Sequence, residues 1–209
     1  MGDLYSFDRS SQRFRDLESG RFVTERAVRD SVDRVADLAS RRMGELTARF
    51  RTGEITAVAW QTETMQTIKF SQIASALAAY GGRDQMTQAR WGTVGQIIRT
   101  EYAYLRRFTS DMLEGRQRLN GRADARARLY GQSVRTTYEA IRRRESAESG
   151  MRYERNVLHP ADHCDQCRAQ TALGSVPIGT LVPVGRRTCR SQCHCTLAFS
   201  RVAVQEEAA

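Results

Sequence analysis

The sequence predicts a mainly α-helical protein, an elongated bundle of about four long helices followed by a small β-rich module. Three observations favour this fold class. Apolar residues recur every three or four positions through most of residues 23–150, which is the period of an amphipathic helix. Prolines, glycines and short β-branched runs replace that pattern in residues 151–204. All five cysteines of the 209-residue chain lie in this last part, between Cys164 and Cys195.

The chain begins with residues 1–22, which are polar and carry both charge signs. We expect them to form a flexible arm, or a short helix around Ser11–Leu17. A helical domain follows over residues 23–150, and its first helix is predicted over 24–51. Acid-first pairs four residues apart, such as Glu25–Arg29, support that helix by about 0.2–0.5 kcal/mol each. Residues 205–209 are interpreted as a tail.

Three further helices are predicted in the same domain. The second extends from about Ile55 to Tyr80, where Gly81-Gly82 provides the left-handed end that helices commonly have. The third closes near Gly115, and the fourth covers about 122–147 before Ser149-Gly150. Inward positions of the fourth helix are Leu129, Tyr130, Val134, Tyr138 and Ile141.

Two tyrosines of the third helix are close neighbours in the sequence. Tyr102 and Tyr104 cannot both face the core that contains Leu105, because residues two apart point in different directions on a helix. We therefore expect one of the two tyrosines to be exposed.

The C-terminal module over 151–204 contains short pieces that favour β-strands. They are Val176–Ile178, Leu181–Val184, Leu197–Phe199 and Val202–Val204. A module of about 50 residues buries little apolar area and needs a further stabilising link. The cysteines are the side chains that supply one.

The five cysteines form two groups, Cys164-x2-Cys167 and Cys189-x3-Cys193-x-Cys195. No secretory signal precedes them, so we expect a reducing compartment and metal binding rather than disulfides. Thiolates are soft ligands that favour zinc. A sulfur-rich ligand set leaves no coordination position open for a substrate, as in structural zinc sites. The module is therefore predicted to be zinc-ribbon-like, with a structural Zn²⁺ ion.

The exact ligand set stays open at this stage. Cys164 and Cys167 are the strongest candidates. Of the remaining three cysteines, Cys189 and Cys193 have the more common chelating spacing, and Cys195 is the alternative to either of them. His163 and His194 each adjoin a candidate ligand and are alternatives to a cysteine. Reduced thiols in a small core are the non-metal interpretation.

The cysteine pattern resembles the C-terminal module of phage Mu F-like head morphogenesis proteins, which are minor capsid proteins of tailed bacteriophages. The resemblance rests on Cys164-x2-Cys167, the following Gly174, a Pro/Gly hairpin and the closing Cys193-His194-Cys195. The family pattern commonly closes as His-Pro-x-Cys-Arg-Cys, and here Arg190 and Ser191 stand at the His and Pro positions. Long helices precede the module in both cases.

The resemblance implies a role in the virion, assembled in the cytoplasm of the host bacterium. Contacts with portal or capsid proteins, several copies in an assembly and a link to DNA packaging are what the family leads us to expect. No membrane is implied, since the chain lacks a long apolar stretch.

Positive charge is concentrated in the third and fourth predicted helices. The chain has a net charge of +9, and Lys69 is its one lysine, so arginine carries nearly all of the positive charge. Residues 99–144 contain 12 arginines and five acidic side chains. An alternative function is therefore a zinc-ribbon nucleic-acid-binding protein, and an acidic protein partner is a further option. Candidate contacts are Arg106, Arg107, Arg118, Arg122, Arg126, Arg128 and Arg135.

Catalysis is not expected from this sequence. The first 150 residues contain no histidine, and no phosphate-binding loop, zinc-protease motif or nucleophile elbow is present. Glu63, Glu101 and Asp111 lie on predicted helices without partner patterns, so we interpret them as surface carboxylates. The sequence thus predicts a structural protein rather than an enzyme.

Overall fold

A computed structural model describes residues 5–8, 11 and 13–204 of the chain. This part is mainly helical, with five α-helices and two small antiparallel sheets, which confirms the predicted class. The chain divides into two compact units, which we name the helical unit (Met1–Thr137) and the cysteine unit (Tyr138–Ala209). The remaining residues of the predicted arm and the whole predicted tail, 205–209, lie outside the described residues.

The described part of the predicted arm is a small sheet. Strands β1 (Tyr5–Asp8), β2 (Arg13–Asp16) and β3 (Phe22–Val23) pair antiparallel in the order β1-β2-β3. The expected short helix over Ser11–Leu17 is therefore wrong. Phe7 and Phe14 lie opposite each other on β1 and β2, with ring centroids 5.0 Å apart, and Phe14 is buried. Cross-strand aromatic pairs of this kind stabilise a sheet. The strands are not predicted because the sequence of the segment is mostly polar.

The four long helices are present close to their predicted bounds. Three of them begin directly after a threonine, whose hydroxyl accepts a hydrogen bond from the backbone N–H three residues on. This N-cap satisfies one of the free donors in the first turn of a helix. The helices are α1 (Glu25–Arg51) after Thr24, α2 (Ala57–Tyr80) after Thr56, α3 (Gln88–Leu113) after Thr87, and α4 (Gly121–Glu148).

Gly81 ends α2 in the left-handed conformation, with φ of 88°. Its carbonyl accepts a hydrogen bond of 2.8 Å from the backbone N–H of Phe7. A Cβ atom at Gly81 would overlap Phe7, so the same residue both terminates the helix and admits strand β1.

The core of the helical unit is built around Trp60, which is fully buried. Its ring lies 5.8 Å from that of Phe50 and 5.7 Å from that of Phe108, and its indole N–H donates to the Thr47 hydroxyl at 3.0 Å. This pairing satisfies the polar atom of the indole ring inside the core. The buried cluster comprises Met43, Leu46, Trp60, Ile68, Leu105, Phe108, Met112, Ala123 and Ala127.

Two expectations about inward positions have different outcomes. Tyr102 is half-buried and donates a hydrogen bond to the Met65 carbonyl, whereas Tyr104 is exposed, which confirms the prediction for this pair. Leu129 was expected to face inward and is exposed. Val134, Tyr138 and Ile141 are buried as predicted, and the small residues Ala127 and Gly131 occupy further buried positions of α4.

The cysteine unit contains a three-stranded antiparallel sheet in the order β5-β4-β6. Its elements are β4 (Tyr153–Val157), α5 (Asp165–Ala172), β5 (Val176–Pro177) and β6 (Thr196–Ser200). Two of the predicted pieces therefore lie in strands, and Leu181–Val184 and Val202–Val204 do not. Neither β4 nor α5 is among the elements predicted from the sequence.

An ion pair links the last turns of α4 to the sheet inside the cysteine unit. Arg143 donates to Glu154 on β4 through Nε at 2.7 Å and through a terminal nitrogen at 2.5 Å. Glu154 is buried and also accepts the backbone N–H groups of Gly179 and Leu181 at 3.0 Å. The boundary between the units therefore falls inside α4, earlier than the change of composition near residue 150.

Candidate metal centre

Two local structures present the five cysteines. Cys164 is the residue immediately before α5, and Cys167 lies in the first turn of that helix. Cys189 precedes a short 3₁₀ turn over Arg190–Gln192, Cys193 follows it, and Cys195 lies just before β6. Arg190 adopts φ of 49° within this turn, a conformation that few side chains favour. The turn brings three cysteines of a seven-residue segment towards α5.

The five sulfur atoms converge in the core of the cysteine unit. They are free thiols, and they pack with buried Leu181, Val184 and Leu197. Two triads of sulfurs have all members within 4.8 Å of one another, and both contain Cys167. They are Cys164–Cys167–Cys189 and Cys167–Cys193–Cys195. The residues that the sequence assigned as ligands are therefore together, and this cluster can hold a metal ion.

The thiols differ in their affinity for protons. A hydrogen bond from the Cys195 thiol lowers the pKa of Cys193 to about 5 and raises the pKa of Cys195. Burial raises the pKa of Cys167 and of Cys189. A hydrogen bond with the backbone of Cys167 lowers the pKa of Cys164. A metal ion binds the thiolate form, so loading this cluster releases protons.

A buried arginine lies beside the shared sulfur. Arg187 is 1% exposed, and one terminal nitrogen of its guanidinium lies 3.7 Å from the Cys167 sulfur. The same nitrogen donates to Asn156 Oδ1 at 2.7 Å, and Nε donates to the Val182 carbonyl at 3.0 Å. The other terminal nitrogen is buried and has no hydrogen-bond partner among the described residues. The guanidinium therefore places a positive charge against the sulfur cluster.

Asn156 on β4 connects that arginine to the first cysteine pair. Its side-chain nitrogen donates to the Cys167 carbonyl at 3.2 Å and to the Thr171 hydroxyl at 2.7 Å. The amide thus holds the first turn of α5 and the Arg187 guanidinium at once. The sequence does not predict that Asn156 or Arg187 lies near the cysteines, because a polar strand residue and one arginine among many carry no local signal of burial.

One histidine adjoins the cluster. His163 Nδ1 lies 3.5 Å from the Cys195 sulfur, and its Nε2 lies 2.6 Å from the His159 carbonyl oxygen. His194 is exposed between two buried cysteines. Of the two histidines that the sequence put forward as substitutes, His163 is therefore the one with a ring nitrogen beside a sulfur.

The predicted arginine contacts lie on α3, on α4 and in the connection between them. Arg126 pairs with Asp111 at 3.3 Å and lies over the Phe108 ring. Arg135 bridges Asp33 and Asp37 at 2.5 and 2.7 Å, with its side chain only 12% exposed. These two arginines stabilise the helical unit itself. The exposed members of the set are Arg106, Arg107, Arg118, Arg122 and Arg128.

The three acidic residues taken as surface carboxylates have different environments. Glu63 pairs with Arg42 at 2.5 Å, and Asp111 pairs with Arg116 at 3.0 Å. Glu101 is half-buried, and burial raises its pKa to about 7 although Ser133 donates a hydrogen bond to it. The expectation of a surface position is therefore wrong for Glu101.

Comparisons with known proteins identify no relative of this chain. No protein-family model, no curated protein and no solved structure matches the chain. Within residues 5–8, 11 and 13–204, no helix combines the length and the apolar character needed to cross a bilayer.

Proposed function

We propose that the cysteine unit is stabilised by structural zinc and that the protein is a non-catalytic component of a tailed-bacteriophage head. The observation that carries the zinc proposal is the convergence of four other thiols on that of Cys167. In a tetrahedral zinc site with bonds of about 2.3 Å, neighbouring sulfurs are about 3.8 Å apart. Cys167 lies 3.6 Å from Cys189 and 3.7 Å from Cys193, so the donor set fits zinc.

The environment of the cluster favours a structural role over catalysis. Cys167, Cys193 and Cys195 are buried among aliphatic side chains, which leaves little room for a substrate at these sulfurs. Such a centre links α5, the 3₁₀ turn and β6, which are short elements with few apolar residues of their own. Zinc bound here would contribute folding free energy to the unit.

The head-assembly proposal is supported by the resemblance of the cysteine pattern to phage Mu F-like proteins, in combination with the long helices before it. Portal or capsid proteins are the partners that this family implies, and the virion is the implied location.

Two measurements test this proposal. Zinc is quantified in the purified full-length protein, and we expect a stoichiometric amount that is lost when Cys167 is replaced by serine. The protein is also sought by mass spectrometry in purified virions and in purified head-assembly intermediates of a phage that encodes it, with host cytoplasmic proteins as the contamination control. Metal-free folded protein refutes the zinc proposal, and absence from both virions and head-assembly intermediates refutes the head proposal.

Nucleic-acid binding is a second candidate, favoured by the five exposed arginines on α3, α4 and their connection. Phosphate contacts of this kind weaken steeply as salt concentration rises. We expect Arg122→Glu to reduce binding to duplex DNA at low salt, and Arg152→Glu, an equal charge change on the cysteine unit, to leave it unchanged. Equal effects of the two variants would indicate attraction by net charge alone, and no binding at low salt excludes this candidate.

A further inference from the structure

The sulfur of Cys167 has a different position in the cluster from the other four. It lies 3.6 Å from Cys189 and 3.7 Å from Cys193, and within 4.8 Å of both Cys164 and Cys195. In a site with one tetrahedral ion, each of four sulfurs has three equivalent sulfur neighbours. Here the Cys167 sulfur has four sulfur neighbours. Cys164 and Cys189 belong to the first triad, and Cys193 and Cys195 belong to the second.

We infer that the cysteine unit holds two zinc ions that share the Cys167 thiolate as a bridging ligand. This inference rests on the proposed function, namely that the cluster binds zinc, and adds the number of ions and the ligands of each. The first ion is bound by Cys164, Cys167 and Cys189. The second ion is bound by Cys167, Cys193 and Cys195.

His163 completes the set for the second ion. Its Nε2 is positioned to donate a hydrogen bond to the His159 carbonyl at 2.6 Å, which leaves the lone pair on Nδ1. Nδ1 lies 3.5 Å from the Cys195 sulfur, on the side of the second triad. Metal-binding histidines typically donate their other ring N–H to a carbonyl or carboxylate in this way. Cys164 and Cys189 are only half-buried, so water can complete the sphere of the first ion.

The charge of the surroundings supports two ions rather than one. Two Zn²⁺ ions with five thiolates and a neutral histidine carry a net charge of −1. The guanidinium of Arg187 supplies +1 beside the bridging sulfur, and its hydrogen-bond acceptors are an amide and a carbonyl rather than a carboxylate. A single Zn²⁺ ion with four thiolates has a net charge of −2, of which the guanidinium would balance only half. Buried groups are least costly when their charges balance.

Metal stoichiometry of the full-length protein tests the inference. Native mass spectrometry and elemental analysis should find two zinc ions per chain in the wild-type protein. Cys164→Ser removes a ligand from the first ion alone, and Cys195→Ser from the second alone, so each variant should retain one ion. Ser191→Ala, which changes the same segment without removing a ligand, should retain both.

The outcomes separate this inference from the proposed function. One zinc ion in the wild-type protein overturns the bridged pair while leaving a structural zinc site intact, and no zinc overturns both. Two ions retained in Cys164→Ser would contradict the ligand assignment.

Cobalt substitution gives a second measurement that does not depend on whether the variants fold. A shared thiolate couples two Co²⁺ ions antiferromagnetically, so the paramagnetic signal should fall as the second equivalent binds to the wild-type protein. A signal that rises in proportion up to two equivalents would show separate ions and refute the bridge.

Discussion

At the scale of single residues, the environment of a side chain decides its role more than its type does. Most of the arginines are at least partly exposed, but Arg187 is enclosed beside the sulfur cluster and Arg135 is held between two aspartates. Glu101 lies on an ordinary helix and yet has a raised pKa because it is half-buried. Each of these environments has a measurable consequence.

Replacing Arg187 should weaken metal binding. Arg187→Met removes the positive charge beside Cys167, and groups that surround metal ligands typically change metal affinity 10–100-fold. We expect a loss of about tenfold or more in zinc affinity, measured by competition with a chromophoric chelator. Arg187→Lys retains the charge without the planar guanidinium, so its zinc affinity should lie between those of the wild-type protein and Arg187→Met. Unchanged affinity in Arg187→Met would show that the guanidinium does not balance the cluster.

Glu101 should make the helical unit less stable as pH rises. Its pKa is raised from 4.5 to about 7 in the folded state, so the folded protein binds the proton more tightly than the unfolded chain. The contribution of Glu101 to stability is therefore fully present below pH 4.5, is lost between pH 4.5 and 7, and remains absent above pH 7.

The Glu101→Gln variant tests this dependence through urea denaturation across that pH range. It should be more stable than the wild-type protein above pH 7, by an amount on the order of 1 kcal/mol. The difference should disappear near pH 4.5, where the wild-type carboxyl group is protonated. Glu45→Gln, at an exposed position of α1, serves as the control. A constant difference at all pH values would contradict the assigned cause.

At the scale of elements, close packing of α1 and α4 depends on a residue without a side chain. Gly131 on α4 is buried, and a Cβ atom there would overlap the backbone nitrogen and the hydroxyl of Ser40 on α1. Beside this contact, the Ser40 hydroxyl donates to the Arg128 carbonyl at 3.0 Å. The glycine therefore sets how near the two helices approach within the helical unit.

A methyl group at this contact should destabilise the helical unit. Alanine normally favours a helix over glycine by about 0.5–1 kcal/mol. The overlap at Gly131→Ala should reverse this preference and cost about 1–3 kcal/mol, as overpacking does in cores. Gly95→Ala on α3, where a Cβ atom meets nothing, is the matched control and should be neutral or slightly stabilising. Similar denaturation midpoints for the two variants would argue against the close contact.

Strand β4 is not predicted from the sequence because its buried positions are polar. In β4 the buried positions are Glu154 and Asn156, while Tyr153, Arg155 and Val157 are partly exposed. The usual rule places apolar residues on the buried face of a strand. Here Glu154 is satisfied by Arg143 and two backbone N–H groups, and Asn156 by Arg187 and α5. These partners are distant in sequence, so the local sequence pattern does not indicate that Glu154 and Asn156 are buried.

At the scale of the whole molecule, two units of different construction share one chain. The helical unit has an apolar core centred on Trp60, whereas the apolar core of the cysteine unit includes its sulfur atoms. Small domains with little apolar area commonly depend on a metal for folding. The dependence on metal should therefore be confined to the cysteine unit.

Metal removal should expose the cysteine unit selectively. After chelation of the full-length protein, backbone amides of β4 and β6 should exchange hydrogen rapidly, because their sheet loses the support of the cluster. Amides around Trp60 in α2 should remain protected. Hydrogen exchange read out by mass spectrometry distinguishes these segments, with zinc re-addition as the control for reversibility. Equal loss of protection in α2 would contradict a metal effect restricted to one unit.

The sequence by itself determined the helical class, the four long helices and the group of candidate metal ligands. These features depend on local properties: a period of three to four residues, Gly81 at a helix end, and cysteines at chelating spacings. Tertiary structure alone decided that part of the expected arm forms the sheet β1-β2-β3, that Arg187 and Asn156 lie beside the cysteine cluster, and that Cys167 is at its centre. Each of these results depends on contacts between residues far apart in the chain, which satisfy buried charges and polar groups that no local pattern records.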